Sequence, residues 1–233
     1  LYVLEGTPSH DWQQCTILQK LNEDRKDSKC KLCYIRNLDI IYIEVIDKNV
    51  LFIPDEKIHN QKELEKQVNL KLSDKHIDKV DIAILHGQFT YQVRGHIPEF
   101  CYDENYFLNL VKGYIHIGHY HTYSKYERII ANGSLERLAH GYEEPKGYVL
   151  VTDNDFEFIV NTDSYIYKTI KVTENTTIEK LDRIILKLPV ESYVRLVINH
   201  KSNFINDTDK LSIRYINYNL KIVKESDFER DTA

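Results

Sequence analysis

The chain has 233 residues, of which 42% are hydrophobic and 29% charged, with a formal net charge of −5. That length suits one large domain or one domain with a small appendage around a substantial core. No apolar run approaches the roughly 20 residues of a spanning helix, so neither disorder nor a membrane-spanning segment is needed, and a cytoplasmic setting is the default. The negative balance excludes a protein that coats nucleic acid by charge alone, but the charge is uneven. Residues 1 to 164 hold 19 Lys plus Arg against 26 Asp plus Glu, whereas residues 165 to 224 hold 11 against 6. A solvated face and a nucleic-acid surface both account for that late basic excess.

The opening Tyr2-Val3-Leu4 reads as a strand entering a loop rather than as a signal peptide, and the chain contains no methionine; it is expected to be a fragment that starts mid-fold. A helix is predicted from Trp12 to Leu21, behind the capping residues Ser9 and Asp11. Of the four cysteines, at 15, 30, 33 and 101, only Cys30 and Cys33 have a spacing that zinc or a redox pair uses. Lacking a second close pair, they read as reduced thiols.

Ile40–Ile46 and Val50–Ile53 are predicted strands joined by a hairpin turn at Asp47-Lys48-Asn49. Gln61–Leu72 carries Leu64, Val68 and Leu72 on one helical face. Strands follow at Ile82–Leu85 and Tyr114–Ile117, then near 147–152 and 156–161 around the turn-forming Asp153-Asn154-Asp155. From Tyr165 the pattern is strand, helix 176–188, strand 193–199, helix 207–217 and strand 220–223, a small β-α-β-α-β unit. The charge balance and the element order place a domain boundary near 162–165, giving domains 1–163 and 164–233 of a mixed α and β protein.

Position gives the histidines meaning. His86 directly follows an apolar strand, and His119 and His121 directly follow another, where α/β proteins place their ligand sites. Gly87 and Gly118 let the backbone curl beside them. In an extended loop, residues two apart point to opposite sides, so a curled loop or two neighbouring metals is needed to use both His119 and His121. Neutral imidazole suits manganese, iron or zinc. His10 also lies at a strand's end, in a loop entering a helix N-terminus, an arrangement that suits an anionic substrate. A shared metal or phosphate site and a set of unrelated structural histidines both fit these positions. Tyr120, Tyr123 and Tyr126 read either as loop packing or as platforms for splayed bases.

Ser9-His10-Asp11, His86 in Leu85-His86-Gly87, and Gly118-His119-Tyr120-His121 occur in the order of the N-H-D, single-histidine and G-H-x-H motifs. Together they resemble the calcineurin-like metallophosphoesterase superfamily. The stretch from Asn132-Gly133-Ser134-Leu135 to Lys146-Gly147-Tyr148 is similar to its DNA-repair nuclease branch, the SbcD-like subunits and their phage recombination counterparts. The resemblance implies a metallophosphoesterase β-sandwich of the four-layer type flanked by helices, N-terminally incomplete, followed by a small capping, DNA-recognition-like domain.

It further implies two divalent metal ions, expected to be manganese. His86 and His119 would bind the second ion and His121 the first, while His10, oriented by Asp11, would stabilise the transition state or protonate the leaving oxygen. Ser9 stands where the family has a metal-binding asparagine. Ser134 and Arg137 are candidate phosphate contacts. DNA as substrate, an SbcC-like ABC-type ATPase as partner and a homodimer are likewise what the resemblance implies. D-x-H and the bridging aspartate of G-D do not occur in these residues, so this chain by itself is expected to be inactive. A small-substrate phosphodiesterase or phosphatase on the same fold, or a degenerate module that binds DNA or a partner without catalysis, are the alternative readings.

Overall fold

A computed structural model describes residues 1–7, 14–25, 29–55, 58, 60–93, 100–152 and 155–225, with only the backbone at Leu18. Contacts divide the chain into two compact units, Leu1–Gly133 and Ser134–Ala233.

The first unit is built on a mixed six-stranded sheet. Its strands are β3 (Asp39–Ile43), β4 (Lys48–Ile53), β5 (Ile82–His86), β6 (Ile115–Gly118), β7 (Ser124–Tyr126) and β8 (Ile129–Ala131), in the order β3-β4-β5-β6-β8-β7. β4, β5, β6 and β8 run parallel, with β3 and β7 antiparallel at the edges. A separate parallel pair joins β1 (Tyr2–Leu4) to β2 (Cys33–Ile35).

The central strands are buried on both faces, which is why they read as continuous apolar runs rather than alternating ones. Leu51 and Ile53 of β4 face the helices α2 (Gln61–Lys75) and α3 (Glu104–Leu110), in one cluster with Leu64, Val68, Leu72, Phe107 and Leu110. Val50 and Phe52 face the other way, onto Leu4, Cys33 and Ile35 of the β1-β2 pair. The Leu64, Val68 and Leu72 stripe is buried as its spacing predicts. Asn60 caps α2 by accepting from the Glu63 N–H at 2.8 Å, and Asp103 caps α3 through the Tyr106 N–H at 2.8 Å.

Two expectations shift. The first helix, α1, runs Thr16–Asp24 rather than 12–21, and its expected caps Ser9 and Asp11 lie outside the described residues. The hairpin turns earlier than expected: Glu44–Ile46 forms a 3-10 turn, Asp47 closes it at φ 52°, and Lys48 and Asn49 already belong to β4. Register decides this. Pairing Ile40 with Leu51 sends both toward the helices and pairing Ile41 with Val50 sends both toward β1-β2, whereas a slip of one residue would turn every side chain to the wrong face.

In the second unit β9 (Gly147–Val151) and β10 (Phe156–Val160) form an antiparallel hairpin. β11 (Tyr167–Val172), α4 (Ile178–Ile185), β12 (Tyr193–Ile198), α5 (Thr208–Arg214) and β13 (Asn219–Lys224) then form the expected β-α-β-α-β unit, with a parallel three-stranded sheet. Both helices pack on one face, through Leu181, Ile185, Leu211 and Tyr215.

The compact units part at Gly133, upstream of the change in charge near residue 164, because local bonds tie residues 134–146 to 161–169. The Arg137 N–H donates to Ser164 Oγ at 3.2 Å and Asn161 Nδ2 to Glu136 Oε1 at 3.0 Å. Glu143 accepts the outward Thr169 N–H of the edge strand β11 at 2.6 Å and pairs with Lys168 Nζ at 3.0 Å. Among the described residues, no helix is long and apolar enough to cross a membrane.

Phe107 is wholly buried and its ring meets those of Phe89, Tyr102 and Tyr106 at 5.6, 5.5 and 5.2 Å. Phe107→Ala should cost about 3–5 kcal/mol in urea unfolding, and Val45→Ala, in the exposed turn, less than about 0.5 kcal/mol. Equal losses would contradict this placement of the core.

Candidate metal centre

Parallel pairing of β4, β5 and β6 brings their carboxyl ends side by side. β4 passes through Pro54 into Asp55, β5 ends on His86, and β6 ends on Gly118 directly before His119. His86 and Gly118 are register partners. A Cβ at Gly118 would stand 3.1 Å from Cδ2 of the His86 ring, so glycine there makes room for the imidazole. The Tyr102 hydroxyl donates to the His86 carbonyl at 2.9 Å and ties this strand end to the aromatic core. Gly87, at φ +135°, then turns the chain away.

Asp55, His86 and His119 form a group whose ligand atoms all lie within 4.8 Å of one another. His86 Nδ1 is 2.9 Å from Asp55 Oδ2, and His119 Nδ1 is 3.8 Å from the same oxygen. The two imidazoles meet at right angles with centroids 5.4 Å apart. Thr7, in the loop that follows β1, donates its hydroxyl to Asp55 Oδ2 at 3.1 Å and lies 3.5 Å from His119 Nδ1. Glu5, buried beside it, accepts from the Tyr34 hydroxyl at 3.1 Å and stands 3.6 Å from Arg36 Nε, which anchors the approach to Thr7. The Asp55 and His86 side chains are 12% and 17% exposed, and that of His119 is 40% exposed, so the group opens to solvent on the histidine side.

No family model matches this chain, and no curated protein matches it significantly.

The donor set fits a divalent ion. Atoms bound about 2.1 Å from a common metal sit roughly 3.0–3.5 Å apart, and the two separations from Asp55 Oδ2 bracket that range. One carboxylate with two imidazoles suits manganese, iron or zinc. His119 itself is held at φ 109°, a conformation costly for a residue with a Cβ, and such strain gathers where a side chain must be aimed.

Of the residues expected from sequence, the structure brings His86 and His119 together. His121 does not belong to the Asp55 group and is engaged in other contacts. Ser9, His10 and Asp11 lie outside the described residues. Ser134 Oγ donates to the Glu136 carbonyl at 2.8 Å, and Arg137 Nη1 donates to Ser164 Oγ at 3.4 Å and the Tyr165 carbonyl at 3.1 Å, bonds that shape a turn of the second unit. Tyr126 stacks on Tyr91 at 4.9 Å. His116 is buried within β6 against Asn132, and burial lowers its pKa.

Sequence reasoning passed over Asp55 and Thr7. Asp55, like His86, stands just beyond an apolar strand, but an aspartate there also reads as an ordinary turn residue. Burial pushes the Asp55 carboxyl up, but hydrogen bonds from His86 and Thr7 and the nearby His119 outweigh it and hold it below its ordinary range. A carboxyl lowered on folding adds stability above its unfolded pKa and loses it as pH falls through the folded one. In EDTA, Asp55→Asn should therefore be less stable than the parent near pH 7, with the gap closing in acid below the usual carboxylate range; a gap that widens in acid refutes the assignment. His119→Gly relieves the backbone strain and should gain about 1 kcal/mol in thermal unfolding while weakening manganese binding at least about tenfold by calorimetry. Unchanged manganese affinity would remove His119 from the centre.

Proposed function

We propose that this chain carries the metal-binding part of a metal-dependent phosphodiesterase that cleaves DNA, a nuclease of the metallophosphoesterase type. The observation that supports it best is the convergence of Asp55, His86 and His119 at the carboxyl ends of three adjacent parallel strands. Two of these residues are the ones that the resemblance assigns to a single ion. The layering of helices, a mixed sheet and a covering β1-β2 pair is compatible with one half of such a sandwich.

A divalent ion held here supplies Lewis acidity, polarising a phosphoryl oxygen and lowering the pKa of water. The chain's own contribution is orientation and charge. Asp55 would supply the anionic ligand and His86 would bind beside it in place of their mutual hydrogen bond, its strand end held by the Tyr102 hydroxyl on its carbonyl, while His119 faces solvent where a phosphodiester would arrive. A second ion would draw on His121. His10 and Asp11 are proposed for leaving-group protonation, and an ABC-type ATPase as the partner.

Calorimetry on the 233-residue chain should show manganese binding that Asp55→Ala and His86→Ala each weaken at least about tenfold. Manganese-dependent hydrolysis of linear DNA should fall at least about 100-fold in the same variants, with little turnover of a small phosphodiester in the parent. Full DNA cleavage by both variants sinks the proposal. Preferred turnover of the small phosphodiester replaces it with the small-substrate reading, and metal binding without turnover with the non-catalytic one.

A further inference from the structure

The loop that follows β1 brings one more oxygen to the group at the strand ends. Glu5 fixes that loop on both sides of its backbone. Its N–H donates to the Ile35 carbonyl at 2.9 Å, extending the β1-β2 ladder by one bond, and its carboxylate accepts from Tyr34 and faces Arg36. Two residues on, Thr7 is buried with its hydroxyl against Asp55. A β-branched side chain has few χ1 choices, so a fixed backbone aims that hydroxyl.

Distances decide what the oxygen can do. Donor atoms that share one ion through bonds of about 2.1 Å stand roughly 3.0–3.5 Å apart. Thr7 Oγ1 lies 3.1 Å from Asp55 Oδ2 and 3.5 Å from His119 Nδ1, so it meets that requirement toward two of the three ligands at once. A hydroxyl that served only to donate to Asp55 would need the first contact alone. It carries one proton and two lone pairs, and rotation about Cβ–Oγ exchanges one for the other. Thr7 can therefore give up its hydrogen bond to Asp55 for the ion, as His86 would.

We propose that Thr7 Oγ1 is a fourth ligand of the ion held by Asp55, His86 and His119, and that it biases the centre toward oxygen-seeking divalent ions over zinc. A carboxylate with two imidazoles already makes a good zinc site with one position open. A neutral alcohol adds little to zinc, whose preferred ligands are nitrogen and sulfur, whereas manganese and magnesium take oxygen readily. This role rests on the metal centre proposed above and names the residue that selects its ion.

The test exchanges that oxygen for sulfur. Cobalt(II) bound by a thiolate absorbs strongly in the near ultraviolet through sulfur-to-metal charge transfer, which oxygen and imidazole ligands do not produce. The cobalt-loaded Thr7→Cys chain should show this band. It should be absent from the cobalt-loaded parent, which carries the same four native cysteines, and from Thr7→Cys combined with Asp55→Ala. Calorimetry then compares ions. Thr7→Val, which keeps the shape and loses the oxygen, should weaken manganese binding about tenfold and zinc binding much less, and Thr7→Ser should restore manganese. Circular dichroism in EDTA checks that each variant folds.

A Thr7→Cys chain that binds cobalt without the band overturns the proposal. So does a Thr7→Val chain that binds manganese as the parent does, or that loses manganese and zinc by the same factor, the mark of a hydroxyl that only supports Asp55. Should Thr7→Cys bind no cobalt, the valine and serine variants decide alone. In each of these outcomes the metal centre stands if the parent binds and Asp55→Ala does not. A parent that binds none of the three ions overturns the centre itself, and the role of Thr7 with it.

Discussion

The Asp55 carboxylate is the charge on which the functional end of the first unit depends. A half-buried carboxylate is tolerated only where donors replace the water it has lost, and the His86 imidazole and the Thr7 hydroxyl do so. Those donors arrive from the end of β5 and from the loop after β1, strands of different sheets. The charge therefore holds the ends of three strands to one geometry, and the same geometry leaves His119 facing outward. Removing any partner strands a charge, which is why structure and site stand together here.

Local pattern made some of this legible and non-local pairing hid the rest. The α2 stripe, the long central strands and the β-α-β-α-β order follow from periodicity, which survives translation into structure because each element buries the face its spacing defines. His86 and His119 were legible because a histidine after an apolar strand is uncommon and a glycine stands beside each. Asp55 was not, for an aspartate after a proline and before a glutamate reads as an ordinary turn in a chain with 36 acidic residues. Only the parallel order of β4 beside β5 gives it significance. The hairpin at Asp47 was misplaced for a related reason. Glu44-Val45-Ile46 has strand composition, and what stops the strand is register against a partner rather than any local breaker. α3 and the short strands β7 and β8 were missed because so few residues carry too little period.

The centre is also joined to the hydrophobic core by a polar link. Tyr102 packs against Phe89, Phe100 and Phe107, and its hydroxyl, kept from ionising by burial, reaches the His86 carbonyl. Rigidity at the strand end is thereby borrowed from an aromatic cluster, so the imidazole is aimed by residues that never approach a ligand. His119, at a φ of 109°, is held instead by its contacts with Thr7, Asp55, His86 and Tyr120.

Glu143 has a different reach. By occupying the Thr169 N–H along the rim of β11, with Lys168 balancing its charge, it removes a donor that an incoming strand would seize first. A parallel sheet of three strands that ends in an open rim is a template for growth by strand addition, into swapped dimers or fibres. One carboxylate takes a donor from that rim, although it contributes nothing to the apolar core of the second unit.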